Sequence, residues 1–149
     1  MNALRTAILE HTTATGVHHD WLIEDPTLPN PAAPDARLWT ARVAPPPQDW
    51  PSLQRFDLTV IPPHRRAYLD YQGPVSGNRG YIRRLAHGMC QASIWSTNKI
   101  VLSLQSEQVY LVLQLTRLAS DRWVAVVVND QAASDGLAEG SGRSSGGSC

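Results

Sequence analysis

Apolar and β-branched residues fall in short runs along the chain, and a helical period is almost absent. The runs lie at residues 6–9, 21–23, 38–43, 56–61, 80–85, 92–95, 99–104, 108–115 and 123–128, divided by clusters of Pro, Gly, Asn, Asp and Ser. Such spacing predicts a mainly β domain, an antiparallel sheet or barrel with little helix. Between 108 and 115, Val109, Leu111, Leu113 and Leu115 alternate with Tyr110, Val112 and Gln114. That period of two gives a strand one more apolar face. Residues 123–128 are wholly apolar and predict a buried strand pairing with its predecessor across 119–121. One helical turn is expected, around residues 50–54, with Pro51 in its first turn.

Two segments interrupt the pattern. Residues 25–37 contain Pro26, Pro29, Pro31 and Pro34, and residues 44–51 contain Pro45, Pro46, Pro47 and Pro51. Proline at that density reads as loop, because it removes ladder donors. Neither loop divides the chain into pieces large enough to fold alone, so residues 1–129 are expected to form one domain. Residues 130–149 are rich in Gly and Ser, with Leu137 and a few alanines as their apolar content. They read as a disordered tail.

Composition adds a few bounds. The chain of 149 residues is 42% hydrophobic and 17% charged, as in ordinary globular proteins. No apolar run approaches the roughly 20 residues of a membrane helix, and the apolar stretch at 6–9 is too short for a signal-peptide core. A cytoplasmic protein with no membrane partner is the expectation. Cys90 falls in a strand-like segment and Cys149 ends the tail, which argues against a structural disulfide. Net charge is zero, but between His64 and His87 five arginines (65, 66, 79, 83 and 84) face one acid, Asp70. That local excess suits phosphate groups, and a solvated surface would carry it equally well.

Candidate chemistry gathers in two places. The first is Glu10-His11 followed by His18-His19-Asp20. On a strand, His18 and Asp20 share a face and His19 takes the other. A hairpin turn near Gly16 would bring His11 beside them. Two imidazoles and a carboxylate make a three-ligand set suited to Mn²⁺, Zn²⁺ or Fe²⁺, although neighbouring histidines are also common on plain surfaces. The second is His64-Arg65-Arg66-Ala67-Tyr68. Histidine can serve as acid or transition-state donor, arginine neutralises charge, and tyrosine can bond a non-bridging oxygen; packing would account for the tyrosine as well. Read as a strand, His64, Arg66 and Tyr68 face one side, with Arg65 and Ala67 on the other. Residues 74–80 form a turn whose amides could cradle an anion.

The order of these pieces resembles the 3′-phosphoesterase domain of bacterial DNA ligase D, and more closely its short stand-alone relatives. That family opens with a strand ending in His, then reads His-x-Asp, and later His-x-x-x-Tyr before an aromatic-x-Gly. Here the matching residues are His11, then His18-His19-Asp20, then His64 and Tyr68 with Tyr71-Gln72-Gly73. The resemblance spans about residues 9–95 and implies a compact β-barrel whose crevice holds a manganese-type ion on His11, His18 and Asp20. It places the phosphate-contacting pair on His64 and Tyr68, and a preceding arginine on Arg55. Two positions depart from the pattern. Leu22 stands where the family has an arginine after the Asp, and a family lysine has no counterpart beyond Arg42. The implied activity is removal of a 3′-phosphate or terminal ribonucleotide from DNA or RNA-DNA 3′ ends in DNA repair, with a DNA ligase or polymerase as partner. The alternative is a nucleic-acid- or phosphate-binding module of the same fold, weakened in catalysis by the loss at Leu22.

Overall fold

The computed structural model describes residues 3–107 and 109–128. Nine strands form among the described residues, all but the short β5 where apolar runs lie: β1 (Ala3–Thr13), β2 (Gly16–Glu24), β3 (Leu38–Val43), β4 (Arg55–His64), β5 (Gly73–Pro74), β6 (Tyr81–Trp95), β7 (Lys99–Ser106), β8 (Tyr110–Ala119) and β9 (Arg122–Val128). Two 3-10 turns, Pro47–Ser52 and Arg66–Leu69, supply the helix. All strand pairs are antiparallel, in the order β1-β2-β3-β4-β9-β8-β7-β6-β5, and β1 also pairs with β6. That last pairing closes eight strands into a ring and leaves the short β5 beside β6. The expected tail at 130–149, with Cys149, lies outside the described residues. No helix among the described residues is long and apolar enough to cross a membrane.

Alternation decides the interior. Leu4 and Ile8 of β1, Trp21 and Ile23 of β2, Ala41 and Val43 of β3, and Leu111, Leu113 and Leu115 of β8 all point into one buried cluster. The β8 residues are those the period of two selects, and the β8–β9 hairpin turns where expected, with Ala119 opposite Arg122. The expectation of a buried strand at 123–128 holds for its first half: Trp123, Val124 and Ala125 are buried, whereas Val126 and Val128, on the outer face, are exposed. The runs at 80–85 and 92–95 belong to one strand, β6. The helical turn sits earlier than 50–54, at Pro47–Ser52 with Pro51 inside it, and drives Trp50 into the core.

A smaller apolar cluster lies on the outer side of the ring. Ala7, Leu9, Leu22, Leu38 and Ile82 project outward from β1, β2, β3 and β6 and are capped by Leu69 and Val75. The chain from 65 to 80 therefore roofs the outer face of these strands.

Candidate metal centre

The β1–β2 hairpin fixes the first three side chains. Its turn passes through Gly16 at φ +143°, a conformation open to glycine. The register that follows sets His11 directly opposite His18 and Leu9 opposite Asp20. Side chains at 11, 18 and 20 thus share the outer face, while His19 turns to the other and lies within reach of the Val43 and Ala44 carbonyls at 3.1 and 2.9 Å. The same-face expectation for His18 and Asp20 is met.

The donor atoms of His11, His18 and Asp20 lie within 4.8 Å of one another. His11 Nδ1 is 3.2 Å from His18 Nε2, which is 3.7 Å from Asp20 Oδ1. Ligands about 2.1 Å from one ion stand about 3.0–3.4 Å apart, so a small closure would let the three hold a divalent cation. His11 is also oriented for it. Its Nε2 lies 2.8 Å from the Arg79 carbonyl, which can only accept, so the proton sits on Nε2 and the Nδ1 lone pair faces the centre.

Asp20 is almost fully buried, at 3% exposure, and draws cations around it. His64 Nε2 stands 3.5 Å from Oδ2, and Arg42 Nε stands 3.5 Å from Oδ1. Burial alone would raise its carboxyl pKa. The His64 hydrogen bond and the charges of His18, Arg42 and His64 outweigh burial and hold it below the usual carboxylate range. His18 shifts down as well: burial lowers it first, Asp20 opposes, and Arg42, His11 and His19 add to the lowering. The carboxylate thus stays ionised and the imidazole neutral, the forms that ligate metal.

A β-bulge brings His64 to this face. Thr40 pairs with Ile61 but Leu38 pairs with His64, two steps on β3 against three on β4. The extra residue falls among Pro62 and Pro63, and it reverses the alternation. Without it Pro63 would take the outward position. His64 ends the strand, so the expectation of a strand through Tyr68 is corrected: Arg66–Leu69 is a 3-10 turn. Its rings still meet, with His64 and Tyr68 5.8 Å apart. The arginines exchange roles relative to the strand reading. Arg65 lines the cleft, whereas Arg66 turns under the roof to pair with Glu24 at 2.5 Å and donate to the Pro31 carbonyl.

Together these residues border a cleft of about 440 Å³ that contains His11, Asp20, His64 and Tyr68. Four arginines, 37, 42, 65 and 79, line it, against the single carboxylate of Asp20. Of the five arginines between His64 and His87, only Arg65 and Arg79 reach it. Arg66, Arg83 and Arg84 are taken by Glu24, Glu10 and Asp70. Arg55 is not among them: it starts β4, nine residues or about 30 Å along the strand from His64. Leu22 is fully buried in the outer apolar cluster, beneath the cleft floor. Two amides of 74–80 are spent inside their own turn, as Val75 N–H donates to Gly80 and Arg79 N–H to Val75. Arg79 borders the cleft, with its carbonyl beside His11 Nε2 and its guanidinium donating to Ser76. Arg37 went unseen because it ends a proline loop with no spacing signal. Comparison with family models and with curated proteins finds no match.

Proposed function

We propose that this cleft is the working site of a metal-dependent phosphoesterase, built on a ring of strands that forms a β-barrel. Its substrates are nucleic-acid 3′ ends, from which it removes a 3′-phosphate or a terminal ribonucleotide in DNA repair. The observation that carries this reading is the meeting of a three-ligand set with a cleft that also holds a third histidine, His64, and four arginines. The family resemblance supplies the nucleic-acid 3′ end, the cytoplasmic setting and a ligase or polymerase as partner.

Manganese on His11, His18 and Asp20 would polarise a phosphate oxygen and lower the pKa of a bound water. The chain's own groups do the rest. His64 has Nδ1 3.2 Å from the Pro62 carbonyl and Nε2 3.5 Å from Asp20 Oδ2, which hold its ring at the cleft. As water attacks phosphorus it releases a proton to solvent, the bond to the 3′ oxygen breaks with its electron pair staying on that oxygen, and a protonated His64 can supply that oxygen with a proton. The Tyr68 hydroxyl has no partner among the described residues and is available to a non-bridging oxygen. Arg37 and Arg65 have no ion-pair partner among them either, and suit the flanking phosphates.

A second reading, a phosphate-binding module without turnover, is favoured by two absences from the cleft: Arg55 lies far away, and position 22 holds a buried leucine. Purified protein with Mn²⁺ and a 3′-phosphate primer-template separates the two. Release of inorganic phosphate is expected, falling about a hundred- to thousand-fold in His64→Ala while metal-induced stabilisation persists. Wild type that takes up Mn²⁺ and binds the duplex in a salt-sensitive way without releasing phosphate would establish the module instead.

A further inference from the structure

The ring has a second concavity, at the end away from the metal centre and on the inner side of the strands. Trp39 of β3, Trp95 at the end of β6, Trp123 at the start of β9 and Ile100 of β7 wall a cavity of about 350 Å³. Thr27, Ser96 and Thr97 complete its lining. This volume falls within the range of small-molecule sites, and the mouth of a strand ring is a common place for one. Trp39 meets Trp95 at 5.8 Å and Trp123 at 6.2 Å, with the rings near perpendicular.

The five tryptophans divide by what their indole N–H does. Fully buried Trp21 donates to Thr6 Oγ1 at 2.9 Å, and fully buried Trp50 donates to the Pro45 carbonyl at 3.0 Å. Trp39, Trp95 and Trp123 have no acceptor among the described residues, although Trp123 is only 6% exposed. A buried donor left unpaired is costly, so native proteins give it a partner. Of the three, Trp123 is the buried one and Trp39 and Trp95 are half-buried, and all three wall one cavity.

The remaining chemistry narrows that partner. No charged residue lines the cavity, so nothing there balances an ionic ligand. Indole N–H groups donate and cannot accept. Of the hydroxyls, Thr27 is bonded to Asp25 at 2.6 Å and Ser96 to the Lys99 carbonyl at 3.1 Å, which leaves that of Thr97. A fitting ligand is therefore neutral and planar, carries ring acceptors, and offers a π-face to indole. A sugar would bring as many donors as acceptors to a wall that offers donors. We infer that this tryptophan-walled mouth is a second binding site, which takes an unpaired nucleobase by stacking and by indole N–H donation to its ring acceptors.

The site is independent of the cleft, so its test runs without metal. Saturation-transfer NMR on the full chain in EDTA, with His18→Ala to disable the cleft, uses adenosine and a pentadeoxyadenylate lacking terminal phosphates as separate probes. Transfer to base protons above ribose protons is expected. Stronger binding of the oligonucleotide assigns the site to single strands, and equal binding to free nucleosides. Trp95→Leu should weaken either by at least tenfold. Thr97→Phe, which fills the mouth from an exposed turn and leaves the indoles packed, should do the same and serves if Trp95→Leu fails to fold. Absent transfer from both probes, transfer unchanged in Thr97→Phe, or equal transfer to glucose would overturn the assignment.

Discussion

The outer face of β1–β3 with the start of β6, and the outer face of the rest of β6 with β7–β9, come from one ring, yet they differ in what covers them. Over β6–β9, Met89, Gln105, Tyr110, Val126 and Val128 are exposed, and no second layer is laid on them among the described residues. Over β1–β3, the roof from 65 to 80 buries Leu22 and Glu24 on the outside as fully as the interior buries Trp21 and Ile23. The large interior cluster already supplies the main core, so the roof's consequence is local: it withdraws water from Asp20 and His18. Charge interactions strengthen where water is excluded, and the candidate chemistry sits where the second layer lies.

The sharpest contrast is between Leu22→Arg and Gln105→Arg. The first puts a guanidinium under the roof and should cost about 3–5 kcal/mol, as an uncompensated buried charge does. The second adds the same group to the bare face and should stay within about 0.5 kcal/mol. Urea unfolding of both measures the difference, and equal costs would remove the roof from the argument. This also reverses what the family pattern suggests at position 22, where an arginine would seem a restoration.

Metal response comes next. With Mn²⁺ at a hundred times its dissociation constant, the folded state should gain about 2.7 kcal/mol, read as a rise in melting temperature. His18→Ala should abolish that rise. A rise retained in the variant would place the ion elsewhere.

His19 provides the adjacent comparison. Its ring is within hydrogen-bonding reach of the Val43 and Ala44 carbonyls on the inner side, so His19→Ala should lose about 1–3 kcal/mol of stability and keep the full metal response. A lost response with stability unchanged would swap the two faces.

The smallest effect is in pH. Because His18 is shifted below 6.5, the folded state resists its protonation. Its contribution is present above pH 6.5 and is lost as pH falls from there through the lowered value. Asp20, shifted below 3.8, contributes above that pH and loses its contribution only in stronger acid. In EDTA, the stability difference between wild type and His18→Ala should be flat above pH 6.5 and change below it. A change centred above pH 6.5 would mean that His18 is held protonated.

Much of this was legible in the residues. Alternation at 109–115 selects the buried face of β8, and Gly16 with the His18-x-Asp20 spacing sets the hairpin and its shared face. What escaped did so for physical reasons. β6 reads as two pieces because its middle carries His87 and Gly88; the latter lies so close to the Gln105 backbone that a Cβ would stand 1.9 Å from its carbonyl oxygen. His64 and Tyr68, four apart, suit a strand face and a helix face equally, so spacing could not reveal the 3-10 turn or the exchange of Arg65 with Arg66. Arg37 reaches the cleft at the end of the proline loop and Arg79 with the roof, placements that no local pattern records.

The bulge at Pro62 and Pro63 gives the segment before His64 an unusual sort of information content. The Pro62 carbonyl lies beside His64 Nδ1 and Pro63 borders the cleft, but neither proline ring supplies a polar group; together they count, adding the odd step that turns the histidine toward Asp20. Here chain length carries the message more than side-chain identity. Exchanges at 62 and 63 that keep the count preserve the phase, whereas deleting either residue inverts it and points His64 into the ring. Across descendants of such a gene, the segment would drift in spelling and hold its length.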